Sequence, residues 1–137
     1  MRTLQAALLA AVLALSGCRG ATGSSSPADD AARRAAETAR LTTYLDAEYE
    51  KELAMSPESL TMQGRKEQYD KLDDRSEAAE DRVLDWRRQS VAGMKQSFNY
   101  DLLDDDGKTS FDIWSLELDR AEKSRRFRDH QYFFALG

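Results

Sequence analysis

One histidine, one cysteine and an abundance of carboxylates are the side chains this chain offers to chemistry. Zinc hydrolysis takes two or three histidines with a carboxylate ligand and a general base. His130 stands alone, and no His-Glu-x-x-His occurs. A Ser-His-Asp triad would need His130 as its base, yet no Gly-x-Ser-x-Gly precedes a nucleophile. His130 reads instead as a core or capping residue. With 25 Asp and Glu residues, a carboxylate pair for acid–base work carries no information. No glycine-rich phosphate loop is present. Asp104-Asp105-Asp106-Gly107 invites a calcium reading. An EF-hand loop with Gly107 at position six, however, puts Leu102 at position one and Ile113 at position twelve, where oxygen ligands belong. The aspartates read better as the cap of a helix. These 137 residues are therefore expected to be catalytically inert, with no metal or cofactor of their own.

The thiol has a clearer context. Met1-Arg2 supplies a positive charge, residues 4–15 are apolar except for Gln5, and Leu15-Ser16-Gly17-Cys18 follows. A charged start, an apolar stretch and a small-residue cleavage site make a secretory signal. The run falls short of the roughly 20 apolar residues that span a bilayer. Leu-Ser-Gly-Cys resembles the lipobox of bacterial lipoproteins at every position. The resemblance implies cleavage between Gly17 and Cys18, a diacylglyceryl group on the Cys18 thiol and acylation of the new amino terminus. Two or more chains hold stably, each buried CH2 contributing about 0.8 kcal/mol. Arg19 follows the cysteine where an aspartate would commonly signal retention in the inner membrane. The expected place is the periplasmic face of the outer membrane, if the source is Gram-negative. The alternatives are a leader cut by the ordinary signal peptidase and one kept as an anchor. A single cysteine forms no intramolecular disulfide, so stability must come from packing.

Residues 18–137 are enough for one small domain. Charged residues make up 33% of the chain, which suits helices with solvated outer faces. The net charge of −5 argues against nucleic acid as a partner. Three stretches emerge: a signal peptide over 1–17, a Gly- and Ser-rich tether over 18–30, and an all-α region over 31–137.

Periodicity predicts a helix from about Ala28 to Ala54, capped by Ser26 with Pro27 in its first turn. Leu41, Leu45, Tyr49 and Leu53, with Tyr44, form its apolar stripe, and Glu48, Glu50, Lys51 and Glu52 take the other faces. Ser56-Pro57-Glu58 starts a short helix that Gly64 ends. Residues 65–74 read as a loop pinned to the core by Tyr69 and Leu72. Asp74 and Glu77 resemble a capping box for a third helix reaching Phe98. Its apolar side is Ala79, Val83, Trp86, Ser90, Met94 and Phe98. A last helix is expected from about Thr109 to Arg128, with Phe111, Trp114, Leu118 and Ala121 inward. Lys123, Arg125, Arg126 and Arg128 meet its negative end. Tyr132, Phe133, Phe134 and Leu136 then make an apolar tail that something should bury.

The pieces Glu52-Leu53, Ser56-Pro57-Glu58-Ser59 with Gly64, and Tyr69-Asp70-Lys71-Leu72-Asp73-Asp74 follow one another ahead of the Ala-rich helix through Trp86. Phe111-Asp112-Ile113-Trp114, Glu117-Leu118 and His130-Gln131-Tyr132 complete the series. In order and spacing, residues 41–134 resemble the start of the domain-of-unknown-function-885 family. Its members are commonly exported, often as lipoproteins, and are several times longer than this chain. They resemble large helical zinc peptidases whose His-Glu-x-x-His lies far downstream. The resemblance implies the amino-terminal portion of a larger, zincin-like helical domain, with zinc and a peptide substrate expected only in the full-length form. No catalytic residue has a counterpart here. The alternative is a free-standing helical lipoprotein that binds a protein partner in the cell envelope through its aromatic tail.

Overall fold

The computed structural model describes residues 26–128. Gly17, Cys18, most of the tether, His130 and the aromatic tail lie outside the described residues. The described part is all-α: α1 (Pro27–Ala54), α2 (Pro57–Met62), α3 (Glu77–Ser97), a 3-10 turn (Tyr100–Leu102) and α4 (Asp105–Arg125).

α1 starts where its capping chemistry dictates. Ser26 Oγ accepts the Asp29 N–H at 3.2 Å, and the Asp29 carboxylate accepts the Ser26 N–H at 3.3 Å. The helix thus takes in residues 27–30, the end of the stretch read as a tether. Cross-helix bonds fix the arrangement. Tyr44 donates to the Ser90 carbonyl at 2.7 Å and Trp86 to Glu48 at 3.0 Å, so α3 runs antiparallel to α1. Trp114 donates to Ser90 Oγ at 3.0 Å and Arg88 to Glu122 at 3.0 Å, so α4 returns antiparallel to α3. The result is an up-down-up bundle of three long helices, with α2 folded over one end.

Leu41, Val91, Met94, Phe98, Leu103 and Phe111 form the core, flanked by Tyr44, Leu45, Trp114 and Leu118. Fully burying a side chain such as Leu41, Met94 or Leu103 contributes about 1.5–3 kcal/mol. At this end the helices come very close. A Cβ on Gly107 would collide with the Thr38 hydroxyl and sit 3.2 Å from Leu103 Cβ. Glycine therefore lets α4 start against α1, where Thr38 Oγ1 accepts the Asp104 N–H at 3.2 Å. Arg34 closes the same end by donating to the carbonyls of Asp101 and Leu103 at 2.5 and 3.2 Å.

Several expectations are corrected. Glu48 does not face solvent: it is 6% exposed. It lies one heptad after Leu41, on the face that α3 covers, and its carboxylate takes the Trp86 indole N–H and the Lys51 ammonium at 2.6 Å. Ser76, not Asp74, caps α3, accepting the Ala79 N–H at 3.2 Å. Asp74 accepts the Ser76 N–H at 3.0 Å, setting the turn before the cap. On α3, Ala79, Ser90, Met94 and Phe98 are buried as expected, Val83 and Trp86 are half-buried, and Leu84 and Val91 join the buried side. Tyr69 and Leu72 do not pin the loop, being 67% and 82% exposed. Polar bonds hold it instead: Gln68 to the Ala54 carbonyl at 3.0 Å, Arg65 to Glu50 at 2.6 Å, and Asp73 to the start of α2. α4 begins at Asp105, four residues before Thr109, because Asp104 accepts the Gly107 N–H at 2.8 Å. It ends at Arg125, three residues before Arg128.

Two substitutions test this packing. Gly107→Ala should lower stability by about 1–3 kcal/mol in urea unfolding, since an overpacked site has to move backbone. Glu48→Ala should cost about 1–3 kcal/mol by leaving the Trp86 N–H without an acceptor, whereas Glu48→Gln, which keeps one, should cost less.

Candidate functional site

Where α2 folds over the bundle, the four helices do not close. A cleft of about 850 Å3 opens there, within the 300–1,000 Å3 usual for ligand sites. The end of α1 contributes Tyr49, Glu52, Leu53 and the following Met55, and α2 contributes Ser59 and Met62. Asp73 and Asp74 come from the loop, Ala79, Glu80, Val83, Leu84 and Arg87 from α3, and Ala121, Ser124 and Arg125 from α4, with Arg128 beyond it.

Local chemistry explains the wall. Pro57 begins α2, and Ser56 Oγ accepts the Ser59 N–H at 3.3 Å. Gly64 follows with φ +77°, a left-handed turn that glycine adopts without strain, and the chain reverses. Asp73 then returns to α2: its carboxylate accepts the Glu58 N–H at 3.0 Å and the Ser56 hydroxyl at 2.9 Å. Glu58 reciprocates, accepting the Asp73 N–H at 3.3 Å and Arg75 at 3.0 Å. This clamp makes the loop a wall of the cleft.

Charge is arranged asymmetrically. Arg87, Arg125 and Arg128 stand on α3 and the α4 side, while Asp73 and Asp74 stand on the loop. Arg87 pairs with Glu52 of α1 and lies 3.9 Å from Glu117 of α4, tying three helices together. Arg125 pairs with Asp81, and Arg128 with Glu77 at 2.8 Å. The basic cluster at the end of α4 is thus stitched to the start of α3, beyond any role with the helix dipole.

The only histidine lies outside the described residues, so no imidazole sits in the cleft as described. Among the described residues no group of three or more His, Cys, Asp or Glu side chains could share a metal ion. Asp104, Asp105 and Asp106 sit at the opposite end of the bundle as the first turn of α4 and its cap. The hydroxyl of Ser56 and the carboxylates of Asp73 and Glu52 are engaged in structural bonds. No helix among the described residues is long and apolar enough to cross a membrane. Arg87 and Glu52 are paired residues that sequence reasoning missed. They are 35 positions apart, and no local pattern links them.

No family model matches the chain, and neither a curated protein nor a solved structure was found to be similar to it. The likeness to the domain-of-unknown-function-885 family therefore rests on the sequence pieces alone.

Two aspartates make stability depend on acid. The Ser76 backbone N–H, the Ser76 hydroxyl and Arg82 hold the Asp74 carboxyl below the usual range. The Gly107 N–H and the Thr38 hydroxyl do the same for Asp104. A carboxyl depressed in the folded state stabilises fully above its unfolded pKa of about 3.9. That contribution is lost as pH falls through the lower folded value, because the unfolded chain binds more protons there. In urea titrations the midpoint should therefore drop as pH is lowered from about 5 to about 2.5, and less steeply in Asp74→Asn and Asp104→Asn.

Proposed function

We propose that this chain is the amino-terminal helical part of an exported, lipid-anchored metallohydrolase acting on peptides, and that the cleft walls its substrate channel. One observation carries the reading. Glu52, Leu53, Ser56, Ser59, Asp73 and Asp74, from the stretch 52–74 that carries the first pieces of the family resemblance, line the cleft. A peptide suits the lining: apolar side chains against Leu53, Met62 and Leu84, and charged groups against the arginines or the loop aspartates. The described residues offer no ligand set for zinc, so the metal that would polarise a peptide carbonyl and activate water belongs to ligands elsewhere in a longer protein. The role of these helices is to bind and orient.

The second reading is a free-standing helical lipoprotein that binds a protein partner. Met62, Tyr69 and Leu72, exposed on α2 and the loop after it, favour it.

Cys18→Ala tests the anchor. The variant should accumulate as an unprocessed precursor that takes up no labelled palmitate; normal processing and membrane retention would overturn the lipoprotein reading. The hydrolase reading is tested by expressing the source reading frame beyond codon 137. A chain that binds one zinc and loses peptide hydrolysis on chelation is expected. A frame that closes without a metal-binding motif would leave the partner-binding reading.

A further inference from the structure

Arginines line one edge of the cleft, and the fork of Arg125 is only partly used. Arg125 pairs with Asp81 through Nη2, while its other terminal nitrogen, Nη1, is buried with no hydrogen-bond acceptor among the described residues. A buried N–H without an acceptor is costly, and a charge-assisted bond to a carboxylate is a strong way to satisfy it. The fork is not sealed off: the side chain of Arg125 is 26% exposed and lines the cleft. Arg128 follows on the same edge, pairs with Glu77 at 2.8 Å and adds positive charge there. The neighbouring surface is apolar. Ala121 lies one helical turn before Arg125 on the same face of α4, and its small side chain leaves room above it. Val83 and Leu84 of α3 and Leu53 of α1 line the same cleft.

We infer that the cleft holds a peptide by its carboxyl end, with the terminal carboxylate on Arg125 Nη1 and an apolar last side chain over Ala121, towards Val83 and Leu84. The carboxyl-terminal residue of a peptide carries its carboxylate and its side chain on the same Cα. That matches a donor set one helical turn from apolar surface. An internal Asp or Glu carries its charge in place of an apolar side chain and offers the apolar lining nothing. The guanidinium suits the task because its planar fork keeps Asp81 on one arm and presents the other to a second carboxylate. This grip rests on the peptide-channel reading and specifies which end of the peptide is held.

The test titrates three acetylated peptides into the whole isotope-labelled chain and reads affinity by NMR. One is Ala-Ala-Leu with a free carboxylate, the second is the same peptide ending in an amide, and the third is Ala-Ala-Glu ending in an amide. The free acid should bind at least about tenfold more tightly than either amide, as a charge-assisted bond implies. Arg125→Gln should bring the free acid down to the amide's affinity and leave the amide unchanged, with helical circular dichroism retained. Arg125→Lys is a second variant that keeps the positive charge for Asp81. It should also lose the preference, since an ammonium replaces the two-armed fork. Equal binding of the free acid and the leucine amide overturns the grip and leaves the peptide channel standing. Equal binding of the free acid and the glutamate amide puts the carboxylate on a side chain and also overturns it. So does a preference that survives both substitutions, which places the anion elsewhere. Failure of all three peptides to bind ends the grip and the channel reading together.

Discussion

A buried carboxylate fixes how the long helices lie on one another. Glu48 takes the Trp86 indole N–H on one oxygen and the Lys51 ammonium on the other. Trp86 meets Trp114 edge to face, with ring centres 6.2 Å apart. Trp114 donates to the Ser90 hydroxyl, and Tyr44 to the Ser90 carbonyl. At one level of the bundle, directional bonds thus join α1 to α3 and α3 to α4. Apolar contact alone tolerates a slip along the helix axis. A buried acceptor with one donor on the facing helix does not, since a slip would leave the Trp86 N–H without its acceptor in a low-dielectric interior. Among the described residues six buried side chains cluster in the core, and this bond adds a directional constraint to their packing.

The two ends of the bundle are held differently. At the Thr38 end, Gly107 lets the backbone of α4 lie against the side chains of Thr38 and Leu103, and Arg34 satisfies the carbonyls of the turn. At the α2 end, beside an open cleft, lie ion pairs with at least one well-exposed partner: Arg65–Glu50, Arg75–Glu58, Arg128–Glu77. Exposed pairs of this kind contribute little each. The main clustered core lies towards the Thr38 end, while the cleft end relies more on surface ion pairs.

Features that depend on a few neighbouring residues were legible in the sequence. Ser26 ahead of Pro27, Ser56 ahead of Pro57 and the turn at Gly64 are decided by local hydrogen bonding and φ, and each falls where its residues say. The all-α class followed from periodicity and sparse glycine and proline. What was not legible depends on partners distant in sequence. Glu48 reads as a surface acid until Trp86 is placed over it. Leu84 and Val91 lie on the inward line only once the crossing of α3 over α1 is known. Asp74 and Ser76 are both competent caps, and Asp74 takes up the Ser76 N–H instead. Tyr69 and Leu72 look like anchors by type, but Asp73 had already fastened the loop through its carboxylate. The cleft, as a gap between four helices, has no sequence signature of its own.

The parallel course of α1 and α4 has a geometric consequence. Ser26 and Arg128 stand at opposite ends of the bundle, and the 28 residues of α1 rise by about 42 Å at 1.5 Å per residue. The bundle thus holds its two ends a fixed distance apart. Anything attached through the amino-terminal side is separated from the open end by roughly the thickness of a lipid bilayer with its headgroups.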